Sequence, residues 1–236
     1  MDTSFWTRFN PNITFDYVTK KYYNKYLYKL VVYAPGGRLI ESKEQDLNKP
    51  LQIRIAAFNA RTTWWGYKRD RDIQSADTAF LNVLRNLKRS TLNIKMRVEE
   101  PHIQIYAESD KDLQDLVIDH FQMFRKYTET VVGPEDSAAV SVLNSGAIIR
   151  RTDNGYKYKV TLRDGNYGVS VKQNVINYLT SLGPEVAHLP KGLIKSLHSG
   201  FLWNGYFYSN DLNVNSFLLL IAPGIISNTH ELVVHK

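Results

Sequence analysis

Two alternating runs on either side of Pro101 constrain this chain more than any other feature. Ile94, Met96 and Val98 fall on one side of an extended backbone, and Lys95, Arg97 and Glu99 on the other, because successive strand side chains point to opposite faces. His102 to Ala107 repeats the pattern, so the segment reads as two strands of a tight turn. An apolar sheet face must be covered, and the flanking segments supply helices for it. Ser75 to Arg89 opens with Ser75 as a cap and Asp77 near the positive end. Ala76, Ala79, Phe80, Val83, Leu84 and Leu87 form its buried stripe, leaving Thr78, Asn82, Arg85 and Arg89 outward. Asp110 caps the next helix, whose core face is Leu113, Leu116, Val117, His120, Phe121 and Phe124.

Upstream, Tyr26 to Ala34 is rich in strand formers and ends at Pro35-Gly-Gly37, read as a turn. Leu39 to Lys49 is a polar connection. Leu51, Ile53 and Ile55 alternate with Gln52 and Arg54, which predicts a half-buried strand over Leu51 to Phe58. Strand, helix, two strands and helix in this order predict an α+β fold, with antiparallel sheets and helices packed on one face. The N-terminal half is expected to be a ferredoxin-like sandwich.

The second half reads as a further mixed α+β region. Gly133-Pro134 marks the softest boundary. Ser137 to Asn144 is a short helix ended by Gly146. Asp153-Asn-Gly155 predicts a hairpin over Ala147 to Arg163. In its second strand Tyr156, Tyr158, Val160 and Leu162 share one face, and Lys157, Lys159, Thr161 and Arg163 the other. Helices are expected at Val171 to Leu182, Pro190 to His198 and Val214 to Ile221, with an aromatic strand at Phe201 to Tyr208 and a closing strand at Ile225 to Val234. The expected organisation is an arm over residues 1–25, a domain over 26–132 and a second over 133–236, the last two open to fusion in one core. The arm's Phe5, Trp6, Phe9, Phe15 and Tyr17 are too apolar for water, so they pack on their own domain or on a neighbouring subunit.

Catalytic signatures are missing from the chain. No Walker-type loop, Rossmann fingerprint, nucleophile elbow or His-Glu-x-x-His helix occurs. The 236 residues include no cysteine, which removes thiol nucleophiles, disulfides and Cys-bound zinc and fits an intracellular, cytoplasmic protein. No signal peptide or membrane-length apolar run is seen, so no membrane partner is expected. Glu99 and Glu100 with Asp70 or Asp72 are the one carboxylate set to weigh for Mg²⁺; solvated strand-turn acids are the simpler reading. No metal or cofactor is expected.

What remains is positive charge beside aromatic rings. The net charge is +7 and the pI about 9.4, a balance that favours polyanionic partners. Phosphates draw Lys and Arg, and flat rings stack unpaired bases, so a single-strand binder needs both in one place. The segment 61–71 supplies Arg61, Trp64, Trp65, Tyr67, Lys68, Arg69 and Arg71. The helix that follows adds Arg85 and Arg89, and the expected hairpin adds Lys157, Lys159 and Arg163. Each set has a plain alternative: a tryptophan anchoring its loop, a self-paired run of alternating charge, a solvated sheet face.

The sequence therefore predicts a non-enzymatic protein that binds single-stranded nucleic acid, RNA ahead of DNA. The alternative is a structural subunit of a viral or phage particle or of a larger complex, assembling as a homo-oligomer or otherwise through its N-terminal arm. A Mg²⁺-dependent nuclease stands third.

Overall fold

The computed structural model describes residues 1–40, 51–60, 63–64, 67–68 and 72–235, with backbone alone at 54, 63–64 and 67–68. The chain divides into two units, Met1–Ser137 and Ala138–Lys236. Each holds helices and a five-stranded sheet, so the class is α+β.

In the first unit, α1 (Thr3–Phe9) and β1 (Thr14–Tyr17) precede β2 (Tyr28–Tyr33), α2 (Leu51–Asn59) and a ribbon of β3 (Thr63–Trp64) and β4 (Tyr67–Lys68). Then come α3 (Ser75–Arg89), β5 (Lys95–Glu99), β6 (His102–Ala107), α4 (Asp110–His120) and β7 (Thr128–Gly133). The sheet order is β1-β7-β2-β6-β5. Neighbours are antiparallel except β1, which runs parallel to β7. The register places Leu30 opposite both Ile105 and Val131, and Val32 opposite Ile103. These side chains are buried together. α4 packs on β2 and β6. α3 joins the same core through Phe80, whose ring lies 5.1 Å from Phe121 and 4.9 Å from Tyr127.

Several local expectations change. Leu51 to Phe58 is helical, not a strand. Leu51, Ile55 and Phe58 are buried while Ile53 is 60% exposed. That spacing of four and three residues is the helical one, and the apparent alternation came from the exposed Ile53. Gln74 rather than Ser75 caps α3. Asp77 accepts from the Gln74 backbone N–H at 2.9 Å and from the Tyr127 hydroxyl at 2.9 Å. Leu81 joins the buried stripe, and Ala76 and Ala79 are exposed. Ser109 caps α4 in place of Asp110. His120 is exposed, beyond the buried Leu113, Leu116 and Val117.

The arm packs on its own unit. Trp6 is fully buried and donates from Nε1 to Asp110 Oδ1 at 2.9 Å. Phe9 is buried beside it, and β1 extends the sheet at the β7 edge. At the end of β2, Gly36 takes φ +78°. The Gly36 and Arg38 N–H groups both donate to the Glu100 carboxylate.

In the second unit, α5 (Ser137–Asn144), which begins at the boundary, leads to β8 (Ile148–Arg150), β9 (Tyr158–Leu162), α6 (Val169–Ser181) and β10 (Ala187–His188). α7 (Lys191–His198), β11 (Tyr206–Ser209), α8 (Asn213–Ile221) and β12 (Ile226–Val234) complete it. The sheet order is β10-β11-β9-β12-β8. The expected hairpin over Ala147 to Arg163 does not form. β12 lies between β8 and β9, parallel to the first and antiparallel to the second. The Asp153-Asn-Gly155 turn is present, with the Gly155 N–H on Asp153 Oδ1 at 2.7 Å. It sits in a connection wide enough for an intervening strand, about 10 Å between the outer two. The aromatic strand is also shorter than expected: only Tyr206–Ser209 pairs, while Phe201 and Trp203 are exposed. Val160, Leu162 and Phe207 form the core with Val175, Leu179, Leu193, Leu197, Val214 and Leu218 from the helices.

Candidate nucleic-acid interface

Strand alternation decides which side chains the second sheet shows to water. Val160, Leu162, Phe207 and Ala187 point into the core. Their neighbours in sequence point the other way. Register then brings those neighbours together: His188 stands opposite Tyr208, Tyr208 opposite Lys159, Lys159 opposite His230, and Tyr206 opposite Thr161. One sheet face thus carries His188, Tyr208, Tyr206, Lys159 and His230 across four strands.

The rings on this face are ordered by close contacts. Tyr156, from the turn before β9, lies 5.8 Å from His188 with planes 28° apart, and 6.2 Å from Tyr208 at 24°. His188 lies 6.3 Å from Tyr208 at 14°. Three nearly equal separations make a triangle rather than a column, so the near-parallel rings pack side by side as an offset cluster, the aromatic facet of this sheet face. The Arg150 guanidinium sits 5.0 Å from the centre of the Tyr208 ring, and Lys159 Nζ sits 4.1 Å from that of Tyr206. Both distances are within cation–π range. Burial pushes the Tyr208 phenol up, against the opposing pull of Arg150.

Asn210 braces the facet. Its Nδ2 donates to Gly155 O and Glu185 O, both at 3.0 Å, and its Oδ1 accepts from the Lys157 N–H at 3.0 Å. The Tyr156 hydroxyl donates to Pro184 O. Two polar atoms nearby are enclosed without a partner among the described residues: Arg150 Nη1 and His230 Nε2. His230 Nδ1 lies 2.9 Å from Gly146 O, which can only accept, so Nδ1 carries the proton in the neutral ring.

The residues expected from sequence divide sharply. Lys157, Lys159 and Arg163 lie along or just beyond β9, with Lys157 and Arg163 exposed and Lys159 half-buried. Arg85 is half-buried on α3, and Arg89 is exposed in its last turn, where a cation also favours the helix dipole. Arg61, Trp65, Arg69 and Arg71 lie outside the described residues. Trp64, Tyr67 and Lys68 contribute backbone to the β3–β4 ribbon, with Trp64 opposite Tyr67. The 61–71 and α3 residues belong to the first unit, and the β9 residues to the second. Sequence reasoning missed Arg150, Tyr156, His188, Tyr206, Tyr208 and Asn210 as site residues. The alternation around Lys159 was readable, but nothing local joins positions 150, 188 and 208.

The first unit holds a second group of rings and cations. Tyr22 and Tyr23 pack against Tyr106 at 5.0 and 5.2 Å, and Lys95 Nζ lies 3.5 Å from the centre of the Tyr23 ring. Tyr106 is buried, Tyr22 is half-buried and Tyr23 is 44% exposed, with Tyr23 meeting Tyr106 edge-on. The acids weighed for Mg²⁺ are engaged elsewhere. Glu99 pairs with Arg97 at 2.9 Å and accepts from Gln104 at 2.6 Å, and Glu100 is held by the backbone amides after β2. Asp70 lies outside the described residues. Among the described residues no group of His, Asp and Glu is arranged to hold a metal, and no helix is long and apolar enough to cross a membrane. The chain matches no protein-family model, no curated protein and no solved structure.

Proposed function

We propose that this chain binds single-stranded nucleic acid, RNA ahead of DNA, without catalysing a reaction. The observation that carries the reading is the face of the second sheet, where Tyr156, His188, Tyr206 and Tyr208 stand with Arg150 and Lys159. Stacking surfaces and phosphate-seeking cations there share one side of one sheet. Unpaired bases can reach such rings, and bases inside a duplex cannot. The Arg61 to Arg71 segment, with Arg85 and Arg89, is a second contact in this proposal. The first unit is read as a ferredoxin-like sandwich with an added edge strand, on the order β7-β2-β6-β5. The lack of cysteine suits a reducing compartment such as the cytoplasm.

The test is fluorescence anisotropy with labelled single-stranded RNA, single-stranded DNA and duplex at several salt concentrations. Single strands are expected to bind best, with log affinity falling linearly in log salt. Lys159→Ala should lower that slope by about 0.7, one phosphate contact on a single strand. Absence of binding at low salt would overturn the proposal.

A second reading, a subunit of a larger or viral assembly, is favoured by α8. Phe217 is 56% and Leu220 79% exposed, next to Leu219 on a helix without a charged residue. Such a face suits burial against a partner.

A further inference from the structure

We infer that Tyr156, His188, Tyr208 and Arg150 form a one-nucleotide site, with a base stacked on the ring cluster and its phosphate on the guanidinium. The inference rests on the nucleic-acid reading and names the site within it. Three features of the geometry carry it.

The first is shape. Rings whose centres form a near-equilateral triangle, with planes no more than 28° apart, make an offset, near-parallel cluster that a further flat ring can extend, and His188 is exposed on it. A base is a flat partner of matching kind, and stacking tolerates any base because each has a π-face. The second is charge. Arg150 is placed over Tyr208, one member of the patch, so a ligand on the facet meets a cation at its edge. Its Nη1 is enclosed with no acceptor among the described residues. Buried donors in folded proteins almost always have a partner, so this nitrogen marks a place for a small enclosed group such as a water, and leaves the guanidinium with hydrogen-bonding capacity unspent. Phosphate oxygens meet guanidinium well because its fork matches their geometry. A neutral sugar would not need this cation.

The third is bracing. Asn210 ties the backbone at Gly155, Lys157 and Glu185 to β11, which holds Tyr156 against His188 and Tyr208 before any ligand arrives. Preorganised rings bind without paying much ordering entropy. Asn210 is therefore a positioning residue for the facet. It does not itself touch the ligand.

The experiment uses the full chain. Anisotropy with oligouridine and oligoadenosine RNA is compared between wild type, Tyr156→Leu, His188→Ala and Arg150→Gln. Saturation-transfer NMR then probes 5′-AMP, adenosine and inorganic phosphate against the tyrosine ring protons. His188 is exposed, so its variant keeps the fold if Tyr156→Leu does not. Each variant is expected to weaken RNA roughly tenfold. AMP should contact the Tyr156 and Tyr208 rings more strongly than adenosine does, and inorganic phosphate should not contact them. If RNA binds wild type and all three variants equally, the facet is not the site, although the nucleic-acid reading survives. If AMP binds and RNA does not, the site stands and that reading falls. If neither binds, both fall. An oligoproline peptide that occupies the rings in place of AMP would overturn the nucleotide assignment in favour of a peptide groove.

Discussion

Trp6→Ala tests whether the N-terminal segment belongs to the first unit's fold. Trp6 is 0% exposed, and its indole N–H meets Asp110 Oδ1 at 2.9 Å. Burying an indole removes roughly 150–250 Å² from water, which at ~25 cal/mol per Å² is about 4–6 kcal/mol at most. Alanine retains the Cβ and the surroundings relax in part, so a loss of about 3–5 kcal/mol is expected. The hydrogen bond adds little to the loss. Asp110 Oδ2 also accepts from the Asp2 N–H and from Gln114 Nε2, so its carboxylate is not stranded. Trp6→Phe should therefore cost clearly less than Trp6→Ala. Urea unfolding followed by circular dichroism measures both, read on the transition of the first unit. A change below ~0.5 kcal/mol for Trp6→Ala would refute the reasoning. The arm's rings would then owe their burial to something other than the stability of this unit.

Three further outcomes follow from the same structure. Gly36 has φ +78°, and a Cβ there would collide with Ile73 Cδ1, so Gly36→Ala should cost more than ~1 kcal/mol in thermal or urea unfolding; a neutral result would refute the strained-turn account. Burial first, and the charge of Asp16 second, push the Tyr22 phenol from 10.0 up to about 12. The folded state thus holds this proton more tightly than the unfolded chain. The resulting stability is complete below pH 10.0 and is lost as pH rises towards about 12. Wild type should lose stability relative to Tyr22→Phe across that window, and a pH-independent difference would count against it. Under the assembly reading, Phe217→Ser with Leu220→Ser should reduce any self-association seen by light scattering, because these exposed side chains would form the contact. Unchanged association would move the interface off α8.

Local pattern carried much of the fold. Lys95–Glu99 alternates exposed with half-buried residues, and His102–Ile105 half-buried with buried ones, because the two faces of each strand meet different surroundings, and that is a property of neighbouring residues. The helices at Ser75–Arg89 and Asp110–His120 were readable for the same reason, with end residues displaced by a position. Leu51 to Asn59 was not, since an exposed Ile53 imitates a strand repeat over so short a run. Asp153-Asn-Gly155 is a real turn, yet turn chemistry does not say whether the strands it joins are neighbours.

The candidate site divides along the same line. Residue order alone determined that Lys157, Lys159 and Arg163 leave the core side of their strand, because strand side chains alternate with a period of two. It also determined the positive charge and the abundance of tyrosine. Only the tertiary structure decided that His188, Tyr208 and Lys159 share one face, and that Tyr156 and Arg150 close on it. Those residues come from separate stretches of chain, and they meet through pairing of β10, β11, β9, β12 and β8. Such pairing is set by burial of the opposite face against α6, α7 and α8, a global packing balance that no short window of sequence contains.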